Sequence, residues 1–200
     1  WGAGKFDDAV VFANSTNYVT AGDQTPLELN TFTHSVWVYR TGTCGTFTFC
    51  TAISKGGSSN IGYRFGLRGT GGIYYADLTL NDSQQITGTT TQLATNTWYH
   101  IAAVADEKNV RLFVNGVLEK EEVRTVTTLS YATENFKIGN GNNGNDLPFE
   151  GRIDEARVYK KAMSASEIQN LYTWGPSPVL YYNLDENTGT PTAVFDRSGN

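Results

Sequence analysis

Apolar and polar residues alternate with a period of two along most of the chain, in short runs rich in Val, Ile, Phe, Tyr and Thr. Successive side chains of a strand point to opposite faces, so this rhythm predicts half-buried β-strands. Such runs lie at Val10 to Ala13, Tyr18 to Ala21, Phe32 to Tyr39, Phe47 to Ile53, Tyr63 to Leu67 and Ile73 to Leu80. They continue at Trp98 to Ala105, Val110 to Val114, Val117 to Lys120, Phe136 to Gly139 and Arg152 to Tyr159. Between two of them the pair Asn115-Gly116 tolerates positive φ at both positions, which predicts a two-residue type I′ hairpin. One helix is expected: Ser164-Ala165-Ser166-Glu167 is a capping box, and the helix should end near Tyr172, before the breaker Gly175-Pro176-Ser177-Pro178. A parallel sheet would need crossover helices between its strands. Many short strands with a single helix therefore predict an all-β, two-sheet antiparallel sandwich or jelly roll.

The order of these pieces resembles the laminin-G-like jelly rolls of the concanavalin A-like lectin/glucanase superfamily. Gly4-Lys5-Phe6 through Val11-Phe12, with Asn17-Tyr18-Val19, is similar to that family's opening hairpin, and Phe32 to Tyr39 to its first long strand. Trp98-Tyr99-His100-Ile101-Ala102 followed by Leu112-Phe113-Val114-Asn115-Gly116 is similar to its central hairpin. Gly151 to Tyr159 with Ser164 to Tyr172 resembles its closing strand and helix. The resemblance implies one jelly-roll domain over residues 1–174, followed by a Gly/Pro linker at 175–178.

One departure stands out. Members of the family usually open with a strand like Val179-Leu180-Tyr181-Tyr182-Asn183-Leu184-Asp185-Glu186, followed by Asp196-Arg197-Ser198-Gly199-Asn200, and here that element comes last. Because the chain also begins at Trp1 and not Met, it reads as a processed product or an excised piece, one period of a tandem array. Residues 179–200 are then the opening strand of a next unit, and three outcomes stay open. The boundary is arbitrary; or the strand folds back into its own sandwich; or Val179, Leu180, Tyr181, Tyr182 and Leu184 complete the sandwich of a neighbouring like subunit. That last outcome is donor-strand exchange, whose head-to-tail contacts build filaments.

Charge narrows the partners. A net charge of −5 and only 15 scattered Lys and Arg argue against nucleic acid, which demands a clustered basic surface. No apolar run is long enough to span a bilayer. Abundant Thr, Asn, Gly and Tyr fit an extracellular protein, and in that setting Cys44 and Cys50 are expected to form a local disulfide. Two thiolates without His or Cys partners nearby cannot complete a zinc shell. Asn14 and Asn81 head N-glycosylation triplets.

The residues that could carry chemistry point to binding. His34 and His100 lack a recognisable nucleophile-and-carboxylate context and are expected to pack. Asp154-Glu155 is the nearest approach to a carboxylate pair, but neighbours on a strand face opposite ways, so no glycosidase chemistry is expected. The family resemblance implies instead a calcium ion held by Asp154 with the Asp196 to Asn200 loop; the alternative is an ordinary strand-end charge facing Arg152 and Arg157. The loop Asn140 to Asp146, with Asn142, Asn145 and Asp146, is rich enough in oxygens to wrap an ion or a sugar, or to be a solvated turn. Arg64, Arg68 and one of Tyr74 and Tyr75 should share an outward sheet face suited to a glycan, although Tyr is also what sandwich cores use. The expected function is a non-enzymatic, extracellular structural or adhesive unit stabilised by calcium, which builds a head-to-tail filament in the case where its C-terminal strand is exchanged. The alternative is a carbohydrate-binding module of a larger secreted protein.

Overall fold

The computed structural model describes residues 1–13, 17–44, 48–56, 61–131, 133, 135–141 and 147–173. In chain order its strands are β1 (Gly2–Ala3), β2 (Asp8–Phe12), β3 (Val19–Gly22), β4 (Phe32–Arg40), β5 (Phe49–Gly56), β6 (Ile61–Thr70) and β7 (Ile73–Leu80). There follow β8 (Gln84–Thr87), β9 (Trp98–Ala105), β10 (Asn109–Val114), β11 (Val117–Val123), β12 (Phe136–Ile138), β13 (Gly151–Tyr159) and one helix, α1 (Ala165–Thr173). Two sheets form the sandwich, one ordered β1-β2-β13-β4-β9-β10-β11 and the other β3-β12-β5-β6-β7-β8. The all-β, antiparallel two-sheet class read from the alternation is the fold observed.

Alternation decides what each strand buries. Along β4, Phe32, Val36 and Val38 point inward to meet Tyr63, Phe65 and Leu67 of β6, Leu78 and Leu80 of β7, and Ile101 and Ala103 of β9. His34 shares that interior, its ring 4.3 Å from Phe32 and 4.4 Å from Tyr63. The opposite face of β4 is also covered, because α1 and its approach lie against the first sheet. Ile168 is fully buried there among Ala102, Val104 and Phe113, with Ala162, Met163 and Leu171 packed around them. Small Ala side chains on the strand let the helix approach closely.

The local punctuation follows the sequence. Asn115 and Gly116 both adopt positive φ, 49° and 78°, turning β10 into β11. A side chain on Gly116 would also collide with the Gln169 amide of α1, so this glycine serves both the turn and the helix seat. Ser164 and Glu167 form the reciprocal cap: the Glu167 carboxylate accepts the Ser164 N–H at 2.8 Å, and Ser164 Oγ accepts the Glu167 N–H at 3.3 Å. Lys161 contributes further, and these bonds hold the Glu167 carboxyl down at about 2. Cys44 and Cys50 form a disulfide with Cα atoms 5.4 Å apart, tying the exit of β4 to the entry of β5.

Three features escaped the alternation. β1 and β8 are too short to show a period, and β13 contains an irregularity between Asp154 and Arg157 where Glu155 takes φ of 50°. This bulge breaks the rule of opposite-facing neighbours at the place where that rule was applied to Asp154 and Glu155.

Candidate functional site

The outer face of the second sheet carries a polar cluster built from four adjacent strands. Register sets Arg68 beside Phe49 of β5 and Tyr75 of β7, Asp77 beside Gly66 of β6 and Thr87 of β8, and Arg64 beside Thr79. Gly66 is required here: a Cβ would lie 2.1 Å from the Cys50 carbonyl oxygen, where β5 is irregular between Thr51 and Ile53. Without a side chain at 66, the centre of the cluster is left to Asp77.

Asp77 is fully buried although it lies on an outer face. Its Oδ2 accepts from Gln85 Nε2 at 2.7 Å and from the Thr87 hydroxyl, and its Oδ1 accepts from Thr79 Oγ1 at 3.3 Å. Arg68 Nε stands 3.3 Å from Asp77 Oδ2, near enough for an ion pair but outside hydrogen-bonding alignment. Burial raises the Asp77 carboxyl above its ordinary range, and the hydrogen bonds and Arg68 offset this only in part. Both guanidiniums lie over the Phe49 ring, Arg64 at 4.6 Å and Arg68 at 5.2 Å. Arg64 also faces Asp82 at 3.6 Å, so two cations are balanced by two anions. Among the described residues, Arg64 Nε, Arg68 Nε and Thr51 Oγ1 are buried without a hydrogen-bond partner. At the surface of the cluster Tyr75 is half-buried and Gln85 exposed.

The site residues expected from sequence distribute unevenly. Tyr75 faces outward, but Tyr74 turns into the core, donates to the Thr43 carbonyl at 2.6 Å and carries the Arg40 guanidinium 4.3 Å above its ring. As expected, the parity of β7 puts one of the two tyrosines outward, and it is Tyr75; Tyr74 is corrected from a candidate sugar contact to a core residue. Arg64 lies on the expected face but is buried, not exposed, its guanidinium packed over the Phe49 ring. Asn142, Asn145, Asp146, Asn14, Asp196, Asn200 and the segment Val179, Leu180, Tyr181, Tyr182 and Leu184 lie outside the described residues. Phe49, Asp77, Thr79, Gln85 and Thr87 were missed; the polar residues at alternate positions 75, 77 and 79 were the available signal, and β8 offered none.

Asp154 has a different local role. Its Oδ2 accepts the backbone N–H groups of Lys5 at 2.9 Å and Phe6 at 3.0 Å, and its Oδ1 that of Glu155 at 2.8 Å. Both its oxygens are thus engaged by backbone donors, and among the described residues no group of three acidic, His or Cys side chains forms a metal cluster. Glu155 pairs with Arg157 instead. Asn81 ties its own turn to the loop at 128–130, its amide donating to the Thr128 carbonyl and accepting from the Ser130 N–H, both at 2.9 Å. His100 Nε2 meets Ser35 Oγ at 2.8 Å, but both are buried under α1, and burial with the nearby Arg157 lowers the imidazole to about 4. Among the described residues no carboxylate hydrogen-bonds its Nδ1, so the pair lacks the orienting partner of a nucleophilic triad.

At one edge of the sandwich, between the sheets, lies a groove of about 170 Å³ lined by Val10, Val19, Ile138, Ile153 and Ala156, together with Asp8 and Asp154. Among the described residues no helix is long and apolar enough to cross a membrane.

Two antiparallel sheets packed as a sandwich, with one short helix against the first, define a jelly roll of the concanavalin A-like kind. The chain belongs to the concanavalin A-like lectin/glucanases superfamily: the Laminin_G_3 family matches residues 13–169. No curated protein matches it. Among solved structures it is similar to domain 4 of AbnA, a GH43 extracellular arabinanase from Geobacillus stearothermophilus, in complex with arabinotriose. That match has a TM-score of 0.66 and 25% identity, covering 84% of this chain and 78% of that one. The Ruminococcus gnavus IT-sialidase CBM40 bound to α2,3-sialyllactose superposes with a TM-score of 0.68 at 17% identity, over 82% of this chain and 96% of that one. A heptameric SAP-like pentraxin from Limulus polyphemus gives 0.62 at 14%, over 80% and 83%. The last two likenesses establish the fold alone.

Proposed function

We propose that this chain is a non-catalytic, secreted carbohydrate-binding unit whose sugar site is the Asp77-centred face of the second sheet. The observation that carries the reading is the charge-balanced cluster itself. Arg68, Gln85 and Thr87 are held around a buried carboxylate, with Tyr75 beside Arg68 and half-exposed at the surface. Saccharides are read by a ring that packs on an aromatic or guanidinium face and by a few fixed donors and acceptors. Because Arg64 and Arg68 are matched by Asp82 and Asp77, the face favours an uncharged sugar. The arabinotriose complex of the arabinanase domain supports that class by analogy. The test is calorimetric titration of the chain with neutral oligosaccharides, arabino-oligosaccharides first, and with Arg68→Ala and Tyr75→Ala variants. Each variant should weaken binding about tenfold; failure of the unaltered chain to bind any neutral glycan on an array would end the reading.

The edge groove favours a second reading, in which residues 179–184 occupy it. Leu180, Tyr182 and Leu184 would share one face of a strand and meet Val10, Val19, Ile138 and Ile153. If a neighbouring subunit supplied the strand, assembly would be head-to-tail, and Asp196 and Asn200 would arrive near Asp154 as the remaining calcium ligands. Cysteines placed at Val10 and Leu180 distinguish the cases: cross-linked ladders support exchange, and an exclusively intramolecular product refutes it. Melting that is indifferent to chelator would remove the ion.

A further inference from the structure

The opposite sheet has an outer face of its own, and one row of it escapes the helix. Register aligns Val11 of β2, Arg152 of β13, Tyr39 of β4 and Trp98 of β9 side by side. The Arg152 guanidinium lies 4.4 Å over the Tyr39 ring, and Tyr39 and Trp98 are in contact with centroids 5.3 Å apart. Three strand spacings make this row about 14 Å long. Tyr39, Trp98 and Arg152 are half-buried and Val11 is exposed.

A second cation stands on the adjacent row. Asp154 accepts the N–H groups of Lys5 and Phe6, fixing the turn between β1 and β2 so that Phe6 packs edge-on against Trp37 and Lys5 Nζ lies 4.6 Å above the same ring. Trp37 and Tyr39 are two residues apart on one face of β4, so the two cations are offset by about 7 Å along the strand. Among the described residues, neither Lys5 nor Arg152 has a carboxylate within ion-pairing distance; the polar contact of Arg152 is a hydrogen bond from its Nη1 to the Ala3 carbonyl. Asp154, the nearest buried acid of this turn, is already satisfied by three backbone N–H groups. In a chain of net charge −5, two cations mounted on aromatic rings without counter-ions form a local binding surface for negative charge.

We infer that the Lys5–Arg152–Tyr39–Trp98 surface is a second saccharide site, one that takes an anionic saccharide chain. Its acidic groups meet Lys5 and Arg152, and a sugar ring packs on the exposed part of Trp98. A narrow strip of this length suits an extended polymer; a stable protein interface buries about 1,200 Å² or more, beyond what four residues offer. The site stands apart from the Asp77 face, on the other sheet, and does not depend on it.

The experiment uses the full chain in affinity electrophoresis and tryptophan-fluorescence titration. The probes are polygalacturonate for carboxylate, dextran sulfate for sulfate, neutral dextran and poly-L-glutamate. At least one anionic polysaccharide should retard the chain, which of the two identifying the acidic group, and the effect should fade as salt shortens the screening length. The Lys5→Gln/Arg152→Gln double variant and Trp98→Ala should each lose about tenfold in affinity, while Lys5→Arg/Arg152→Lys, which keeps both charges, should retain it. Tyr75→Ala, on the other face, should leave this binding intact. Any of four results overturns the inference: neither anionic polysaccharide retards the unaltered chain; the double Gln variant binds as well; Tyr75→Ala abolishes the effect; or poly-L-glutamate retards the chain as strongly as the saccharides do.

Discussion

Replacing Asp77 tests the physical basis of the proposed sugar face directly. Its carboxylate is completely buried and accepts from Thr79, Gln85 and Thr87 while facing Arg68. Asp77→Ala removes an acceptor from three neutral donors, worth about 1 kcal/mol each, and from one charged neighbour, worth about 2 kcal/mol. Relief from burying a carboxylate returns part of this, leaving a net loss of about 3 kcal/mol. Asp77→Asn keeps one acceptor oxygen and should lose about 1 kcal/mol. Urea unfolding at neutral pH measures both. The pH dependence gives an independent check. Burial raises the folded-state pKa, so the folded protein holds this proton after the unfolded chain has released it. The group's contribution is therefore fully present below the unfolded value near 3.8 and is lost as pH rises through the raised folded pKa. Asp77→Asn has no such proton, and its stability relative to the parent should rise across that window. A loss below about 1 kcal/mol for Asp77→Ala would show the cluster to be solvated, and an unchanged pH slope in Asp77→Asn would refute the burial argument.

Ile168→Ala should destabilise the chain by about 2–4 kcal/mol, seen as a lower urea midpoint, because the side chain is fully enclosed between α1 and the first sheet. Replacing Cys44 and Cys50 together with Ala removes closure of a short loop and should lose about 2 kcal/mol in the same assay. His34 is buried among aromatic rings and its pKa falls to about 3, so the folded protein refuses a proton that the unfolded chain accepts. Its contribution is lost as pH drops from the unfolded value of 6.5 towards 3, on the order of 3 kcal/mol by pH 4, and His34→Phe should flatten that limb of the stability curve.

Long strands were legible as runs of β-forming residues bounded by turn residues. Ile73–Leu80 and Trp98–Ala105 have the bounds that those runs predict. The Asn115-Gly116 turn and the Ser164–Glu167 cap are local devices, written in adjacent residues, and they were equally readable. The candidate site was harder because alternation gives the parity of a strand but not its register against a neighbour. Nothing around Tyr75 announces that Asp77 will meet Thr87, or that Gly66 will leave room between them. Parity likewise allowed only one of Tyr74 and Tyr75 outward without saying which, and it is Tyr74 that turns inward. Asp154 was recognisable as unusual, but its partners, the backbone N–H groups of Lys5 and Phe6, lie at the other end of the sequence.

What covers each sheet explains where binding chemistry can lie. On the first sheet α1 roofs Ala102, Val104 and Phe113, and Tyr172 extends the cover to Trp37 and His100 at 5.7 and 6.0 Å. Under that roof Ser35 finds its partner in His100 and Thr33 in the Lys161 carbonyl. Beyond α1, at Tyr39, Trp98 and Arg152, a cation rests on the sheet with no counter-charge among the described residues. The cluster on the second sheet lies beyond the reach of α1, and its polar side chains bury one another around Asp77. An apolar residue at 77 would give up those bonds and gain no cover, whereas a carboxylate holds Arg68 and Gln85 in fixed orientations at the surface. Fixed donors at a surface are what distinguish one sugar hydroxyl pattern from another, so the cost of burying Asp77 is consistent with a face maintained for recognition.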